Sequence, residues 1–173
     1  IGGGIKYIND IRELFQVGAD RVSINTHAFK DINFLKEAMD NFGKQSIVIS
    51  VDYKKVNNEP IVFINSGKTN TNKNLFSYLS DLEKINPGEI LINSIDHDGL
   101  MNGYDTKTIK KIDQEFDLKF ICSGGLKSSS DIIELYNSTK IKSFSMSSVF
   151  HYTELTPMSL KRELNENGVS VRL

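Results

Sequence analysis

Gly2-Gly3-Gly4-Ile5-Lys6 near the start of the chain and Ser123-Gly124-Gly125-Leu126-Lys127 near its end decide the fold. Gly4-Ile5-Lys6 and Gly125-Leu126-Lys127 align at an offset of 121 residues, and Asp10-Ile11 and Asp131-Ile132 keep it. One residue of slippage then sets Ser23-Ile24-Asn25-Thr26 against Ser145-Met146-Ser147-Ser148. Each copy reads as glycines after a strand, a helix, and a strand ending in two small polar residues. Such self-similarity outranks other architectural signals, and here it relates residues 1–30 to residues 122–151. The bland alternative is coincidence between two βα units of a common type.

Between the copies, short apolar runs alternate with amphipathic stretches. Arg21–Asn25, Ser46–Val51, Glu89–Asn93, Leu118–Cys122 and Ile141–Met146 read as strands. Their weak alternation is that of strands buried on both faces of a parallel sheet. Helical patterns fill the gaps: Asn9 caps a helix to Val17, Asp31 caps Ile32–Phe42, and Leu75–Ile85 carries an apolar face. Asp105 opens a helix to about Gln114, Ser129 or Ser130 one to about Tyr136, and Pro157 a last one ending before Gly168. After the strand that ends at Asp52, residues 53–66 read as an inserted hairpin with Asn57-Asn58 at its turn, and Ser66–Lys73 as a mobile loop. The order implies an α/β fold, a (β/α)8 TIM barrel in a single domain.

In such barrels the loops after the last two strands build phosphate sites from glycine N–H groups and helix N-termini. Gly124, Gly125, Ser147 and Ser148 fit that role, and the repeat implies a second site from Gly3, Gly4, Asn25 and Thr26. Two such sites across one barrel mouth suit an elongated substrate with a phosphate at each end. Asp52 closes an apolar strand, where barrel chemistry happens, although a capping or hairpin-supporting aspartate would look the same. Asp96-His97-Asp98-Gly99 reads as a turn, because a metal cluster would need a second His or Cys nearby. Cys122, inside an apolar strand, reads as an inert core residue.

The composition narrows the function classes. The chain has 173 residues, 21 basic and 22 acidic, 39% hydrophobic, with a formal net charge of -1. That balance lacks the electrostatic footprint of a nucleic-acid or membrane-surface binder. No apolar run nears the roughly 18 residues of a membrane span, and one cysteine fits a reducing cytoplasm. No metal or cofactor is expected. The chain opens at Ile1 without Met, and its glycine run follows no element. A TIM barrel takes about 250 residues, which leaves ~80 unaccounted for at the front. The expectation is an incomplete barrel running from the end of strand three through strand eight and the last helix.

Eight ordered motifs carry a family resemblance. They are Gly2-Gly3-Gly4-Ile5, Gly18 through Thr26, Val51-Asp52, Gly88-Glu89-Ile90-Leu91, Asp96-His97-Asp98-Gly99, Gly103-Tyr104-Asp105, Ser123-Gly124-Gly125 and Ser148-Val149-Phe150-His151. Together they resemble the cyclase subunit of imidazole glycerol phosphate synthase, from histidine biosynthesis, across essentially the whole chain. The resemblance implies a glutaminase partner in a heterodimer, whose ammonia passes through the barrel. The ammonia attacks a bis-phosphorylated ribulosyl aminoimidazole carboxamide nucleotide. Imidazole glycerol phosphate and an aminoimidazole carboxamide ribonucleotide result. It implies Asp52 as one of two acid–base aspartates, the other lying on a first strand that this chain lacks. Phosphate roles carry over to Gly4, Asn25, Thr26, Gly125 and Ser148, with Asp98 and Gly99 lining the mouth. Asp20, Arg21 and Glu89 match the partner face and ammonia entrance, where Arg21 replaces the usual Lys.

Two further departures stand out. The family usually has Thr where this chain has Leu100, and Thr-Ser where it has Asn93-Ser94. These resemble a paralogous branch that uses ammonia to place an amidino group on a cell-surface sugar. A sister sugar-phosphate isomerase of the same pathway fits the Ser-Ile-Asn-Thr and Gly-Tyr-Asp runs less well. A last alternative is a phosphate-binding fragment without activity of its own. The 173-residue polypeptide by itself is expected to show no cyclase turnover in an ammonium-driven assay, and measurable turnover would contradict that.

Overall fold

The computed structural model describes residues 1–172. Along the chain run α1 (Ile8–Gln16), β1 (Val22–Ile24), α2 (Thr26–Lys30), α3 (Ile32–Phe42), β2 (Ile47–Val56), β3 (Glu59–Ile64), β4 (Thr69–Asn74) and α4 (Leu75–Glu83). Then follow β5 (Glu89–Ser94), α5 (Thr106–Glu115), β6 (Phe120–Ser123), α6 (Ser129–Ser138), β7 (Ser143–Phe144), α7 (Ser148–Tyr152) and α8 (Pro157–Glu166). β1, β2, β5, β6 and β7 pair in parallel in that order, and Gly2 makes a parallel bridge to Ser23. Parallel strands joined through helices are the frame of a (β/α)8 barrel fold.

The strands alternate in burial, apart from the start of β2, where Val48 is buried beside Ile47 and Ile49. Val22 and Ile24, Ile47, Ile49 and Val51, Ile90 and Ile92, and Phe120 and Cys122 are buried. They share one core with Leu35 of α3, Leu79 of α4, Ile112 of α5 and Leu135 of α6. Burying each such aliphatic side chain contributes about 1.5–3 kcal/mol. The intervening residues Ser23, Ser50, Leu91 and Ser123 are only half-buried, because they point to the opposite face, where pockets open. The sheet therefore has one helix-covered face and one cavity-lining face.

Several helix starts shift from their expected residues. Asn9 lies inside α1, whose start is held by Asp10: its carboxylate accepts from the N–H groups of Lys6 (2.8 Å) and Tyr7 (2.9 Å). α6 starts the same way from Ser128, with Asp131 accepting from Lys127 (2.8 Å) and Ser128 (3.1 Å). Asp31 caps α3 as expected, accepting from Asn33 and Phe34. Short helices α2 and α7, directly after β1 and β7, had no counterpart in the hydrophobic pattern.

The hairpin has three strands rather than two. β2 runs on to Val56 and turns through Asn57 and Asn58, both at positive φ, as a type I′ turn demands. β4 occupies most of the stretch expected to be a mobile loop. Its Thr and Asn residues show no apolar alternation, yet its backbone pairs antiparallel with β3, and the Thr71 hydroxyl donates to Val62 O at 2.7 Å. The last strand shrinks to Ser143–Phe144, because it pairs with β6 on one side only.

On the outer side of β2, Tyr53 and Lys55 reach Asp105, the N-cap of α5. The Tyr53 hydroxyl donates to its carboxylate at 3.1 Å, Lys55 pairs with it at 2.8 Å, and Thr108 N donates at 3.3 Å. Burial pushes the Asp105 carboxyl up, but Lys55 and Thr108 pull it down further, below the usual carboxylate range. A depressed acid stabilises the fold above its unfolded value and loses that contribution as pH falls through its folded value. Asp105→Asn is expected to cost about 2 kcal/mol near neutrality. The gap in Tm between variant and wild type should narrow as pH falls below about 4, where the native carboxylate also protonates.

Candidate active site at the strand mouth

Asp52 stands in the middle of β2 rather than at its end. It is nonetheless at the edge of the parallel frame, because the pairing of β2 with β5 stops one residue later, at Tyr53↔Ser94. Its carboxylate is held from both sides. Asn25, at the end of β1, donates to Oδ2 at 3.1 Å, and Asn93 of β5 donates to Oδ1 at 3.2 Å. No cation pairs with Asp52 among the described residues. Burial raises its proton affinity, the Asn93 hydrogen bond opposes this, the Asp98 charge adds to it, and the Asn25 bond opposes it. The result is a carboxyl above its ordinary range, the direction that suits proton transfer nearer neutral pH.

Two cavities flank this group and share Ser50 and Asp52 as a common wall. One, about 250 Å³, is lined by Asp98, Gly99, Gly124, Gly125, Ser147 and Ser148. The other, about 610 Å³, is lined by Gly3, Gly4, Asn25 and Thr26. Each of the two glycine pairs has positive φ, and each leads into a helix clamped by its own aspartate, Asp10 or Asp131. Each cavity also ends on a short helix, α2 or α7. All ten residues expected to line the mouth therefore fall into these two cavities.

Details depart from the expectation in ways the sequence did not show. The Asn25 amide is engaged with Asp52 and with Ser50 O (3.1 Å). The Thr26 hydroxyl accepts from Asn65 N at 2.9 Å, which brings the β3–β4 turn to the wall of the larger cavity, with Ser66 beside it. Asn65, Ser66, Ser50 and Asn93 are site-lining residues missed in the sequence. Only Asn93 left a trace there, as a departure from the family pattern.

The Asp96–Gly99 run forms a turn stitched to the glycine pair. His97 Nδ1 donates to Gly103 O at 2.7 Å, and Gly103 N donates to Gly125 O at 2.8 Å. A Cβ on Gly125 would collide with Gly103 O and lie 2.8 Å from the His97 Cβ. Leu100 is exposed at the tip of this turn. His27 packs edge-on against Phe34 at the wall of the larger cavity, and burial pushes the Cys122 thiol up to about 12. Among the described residues no three His, Cys, Asp or Glu side chains come together to hold a metal ion. No described helix is long and apolar enough to cross a membrane. At the opposite ends of the strands, Arg21 and Glu89 form an ion pair across β1 and β5, while Asp20 is exposed outside it.

The parallel frame with its acid and glycine turns at the C-terminal strand ends is that of a TIM-barrel protein with its candidate site at the usual mouth. The family model described as "Histidine biosynthesis protein" matches residues 1–156. Imidazole glycerol phosphate synthase subunit HisF of Natranaerobius thermophilus is 40% identical over 173 residues, all of this chain and 69% of the relative. The HisF subunits of Hydrogenobaculum sp. and Bacillus cereus are 38% and 36% identical over all of this chain and 69% of theirs. The chain belongs to the histidine biosynthesis protein family and is HisF-like.

The glycine geometry predicts unequal costs. Gly3→Ala meets open space and should lose only left-handed strain, about 1–2 kcal/mol. Gly125→Ala adds a backbone collision to the same strain and should lose clearly more, about 3 kcal/mol. Urea unfolding of the two variants checks the order.

Proposed function

We propose that this chain belongs to the cyclase subunit of imidazole glycerol phosphate synthase, with Asp52 as an acid–base group of its reaction. The observation that carries this reading is the placement of one partly buried carboxyl on the wall shared by two glycine-turn cavities. A substrate with a phosphate at each end would span them. One phosphate meets Gly124, Gly125, Ser147 and Ser148, and the other meets Gly3, Gly4, Thr26 and the Asn25 backbone. Its reacting centre then lies over Asp52. Neither Ser147 nor Ser148 uses its hydroxyl within the protein among the described residues, so both can donate to an anion.

Ammonia adding to a ribulosyl carbon becomes a positively charged nitrogen that must lose a proton. Asp52 takes protons when ionised and returns them when protonated, and its raised proton affinity makes it a stronger base than an ordinary carboxylate. Asp98, at the smaller cavity, keeps negative potential near Asp52 and the developing cation. The phosphates would gain from backbone N–H groups at the glycine turns, and in the larger cavity from Lys6 and Lys30 on its wall.

On this reading a glutaminase subunit docks, and ammonia enters, at the opposite face, where Arg21 and Glu89 form an ion pair. Arg is not a neutral exchange for Lys there, because its planar fork keeps a carboxylate partner in fixed geometry. Duplication of an ancestral half-barrel accounts for the matched aspartate clamps and matched cavities. The reaction needs no cofactor or metal and takes place in the cytoplasm.

One observation favours a second reading. Leu100, 63% exposed beside Gly99, presents an apolar tip where the family usually has a hydroxyl. That change fits the branch that amidinates a surface sugar with ammonia from a glutaminase-like partner. Complementation of a histidine auxotroph separates the two: growth supports the cyclase, and failure by a well-expressed synthase supports the sugar pathway. In the assembled synthase, Asp52→Asn is expected to lose at least about 100-fold in ammonia-dependent turnover while substrate still binds. Its Tm should not fall, because a carboxyl with raised proton affinity destabilises the fold when ionised. Unchanged turnover would remove Asp52 from the chemistry.

A further inference from the structure

We infer that Asn93 is a positioning residue for Asp52, and that the missing side chain of Gly124 is what allows it to act. The inference rests on the reading of Asp52 as an acid–base group.

The register of β5 against β2 pairs Asn93 with Asp52 on the same face of the sheet. Asn93 Nδ2 holds one carboxylate oxygen, and Asn25, from the strand on the other side, holds the other. Two amides in opposition fix the rotation of a carboxylate about its last torsion, which is otherwise broad. One face of Asp52 then remains turned to the cavities.

The other end of the Asn93 amide shows what sets its orientation. Asn93 Oδ1 is buried and has no hydrogen-bond partner among the described residues. Turning the amide over would set this oxygen against a carboxylate oxygen, two acceptors facing each other. The amide therefore keeps its N–H on Asp52 and leaves an acceptor orphaned. Orphaned buried acceptors are uncommon and call for an explanation beyond packing. A residue serving only to fill the strand could have been apolar and carried no such cost.

Gly124 completes the arrangement. A Cβ there would lie 2.8 Å from Asn93 Oδ1 and 2.7 Å from Ser94 O. Any side chain at 124 would press on the amide and drive it off Asp52. The glycine turn thus has two tasks, one toward the smaller cavity and one toward Asn93.

The charged groups around Asp52 leave the amides in control. Asp98 faces it from the loop after β5, and Lys6 from the turn before α1 and His27 and Lys30 from α2 line the larger cavity. None of these cations forms an ion pair with Asp52. The N–H groups of Asn93 and Asn25 are then the local groups that favour the ionised carboxyl over the protonated one.

The test is a carbon-13 titration of the Asp52 carboxyl in the assembled synthase, assigned with Asp52→Asn. In Asn93→Ala the midpoint should rise by about one pH unit, the size expected for losing one hydrogen bond to a charge. Gly124→Ala should move it in the same direction by a different route. With ammonium salts as nitrogen source, the acid limb of the kcat profile should shift equally, with KM for the bis-phosphorylated substrate within about twofold. If Asn93→Ala does not fold, Asn93→Val, which also carries no donor, replaces it in the same measurement. A midpoint that stays put in a folded variant overturns the inference. The titration needs no turnover, so it decides this point even if Asp52→Asn retains activity and the acid–base reading fails.

Discussion

The site depends on the parallel register of β2 and β5, which runs from Val48↔Glu89 to Tyr53↔Ser94. Side chains alternate between the faces of a strand, so this register sends Ser50, Asp52, Leu91 and Asn93 to the cavities and Val51, Tyr53, Ile90 and Ile92 to the helices. A slip of one residue would bury the Asp52 carboxylate among helices and present Tyr53 at the mouth. The apolar residues of β2 and β5 hold the register, since exposing them costs several kcal/mol in sum. The polar residues of the site are carried along by that packing.

The same alternation gives β2 two carboxylate environments within a few residues. On the outer face, Lys55 and Thr108 overcome burial at Asp105, which stays ionised and secures α5. On the inner face, Asp52 has only amide donors against burial and the charge of Asp98, and its proton affinity rises. The presence or absence of one cation separates an acid of lowered proton affinity from one of raised proton affinity.

Much of the frame was legible in the sequence because its signals are local. Asp31, Pro157 and the Asn57-Asn58 turn act through hydrogen bonds or φ preferences within a few residues, and each falls where expected. The repeat was legible because Gly4 and Asp10 recur as Gly125 and Asp131 with their spacing intact. β4 was not legible: its Thr and Asn side chains carry no periodicity, and only pairing with β3 makes it a strand. The short helices α2 and α7 were hidden because five residues are too few for a helical period. Asn93, Ser50 and Asn65 enter the site through partners that stand 25 to 41 positions away in the chain, contacts that no local pattern records.

The central claim is that the two glycine-turn cavities hold opposite ends of one molecule across Asp52. Phosphorus-31 spectra of the assembled synthase with its bis-phosphorylated substrate, without glutamine or ammonia, test it directly. Both phosphorus resonances should shift on binding, with one substrate per chain at saturation. A spectrum in which one resonance shifts and the other stays at its free position would contradict the account.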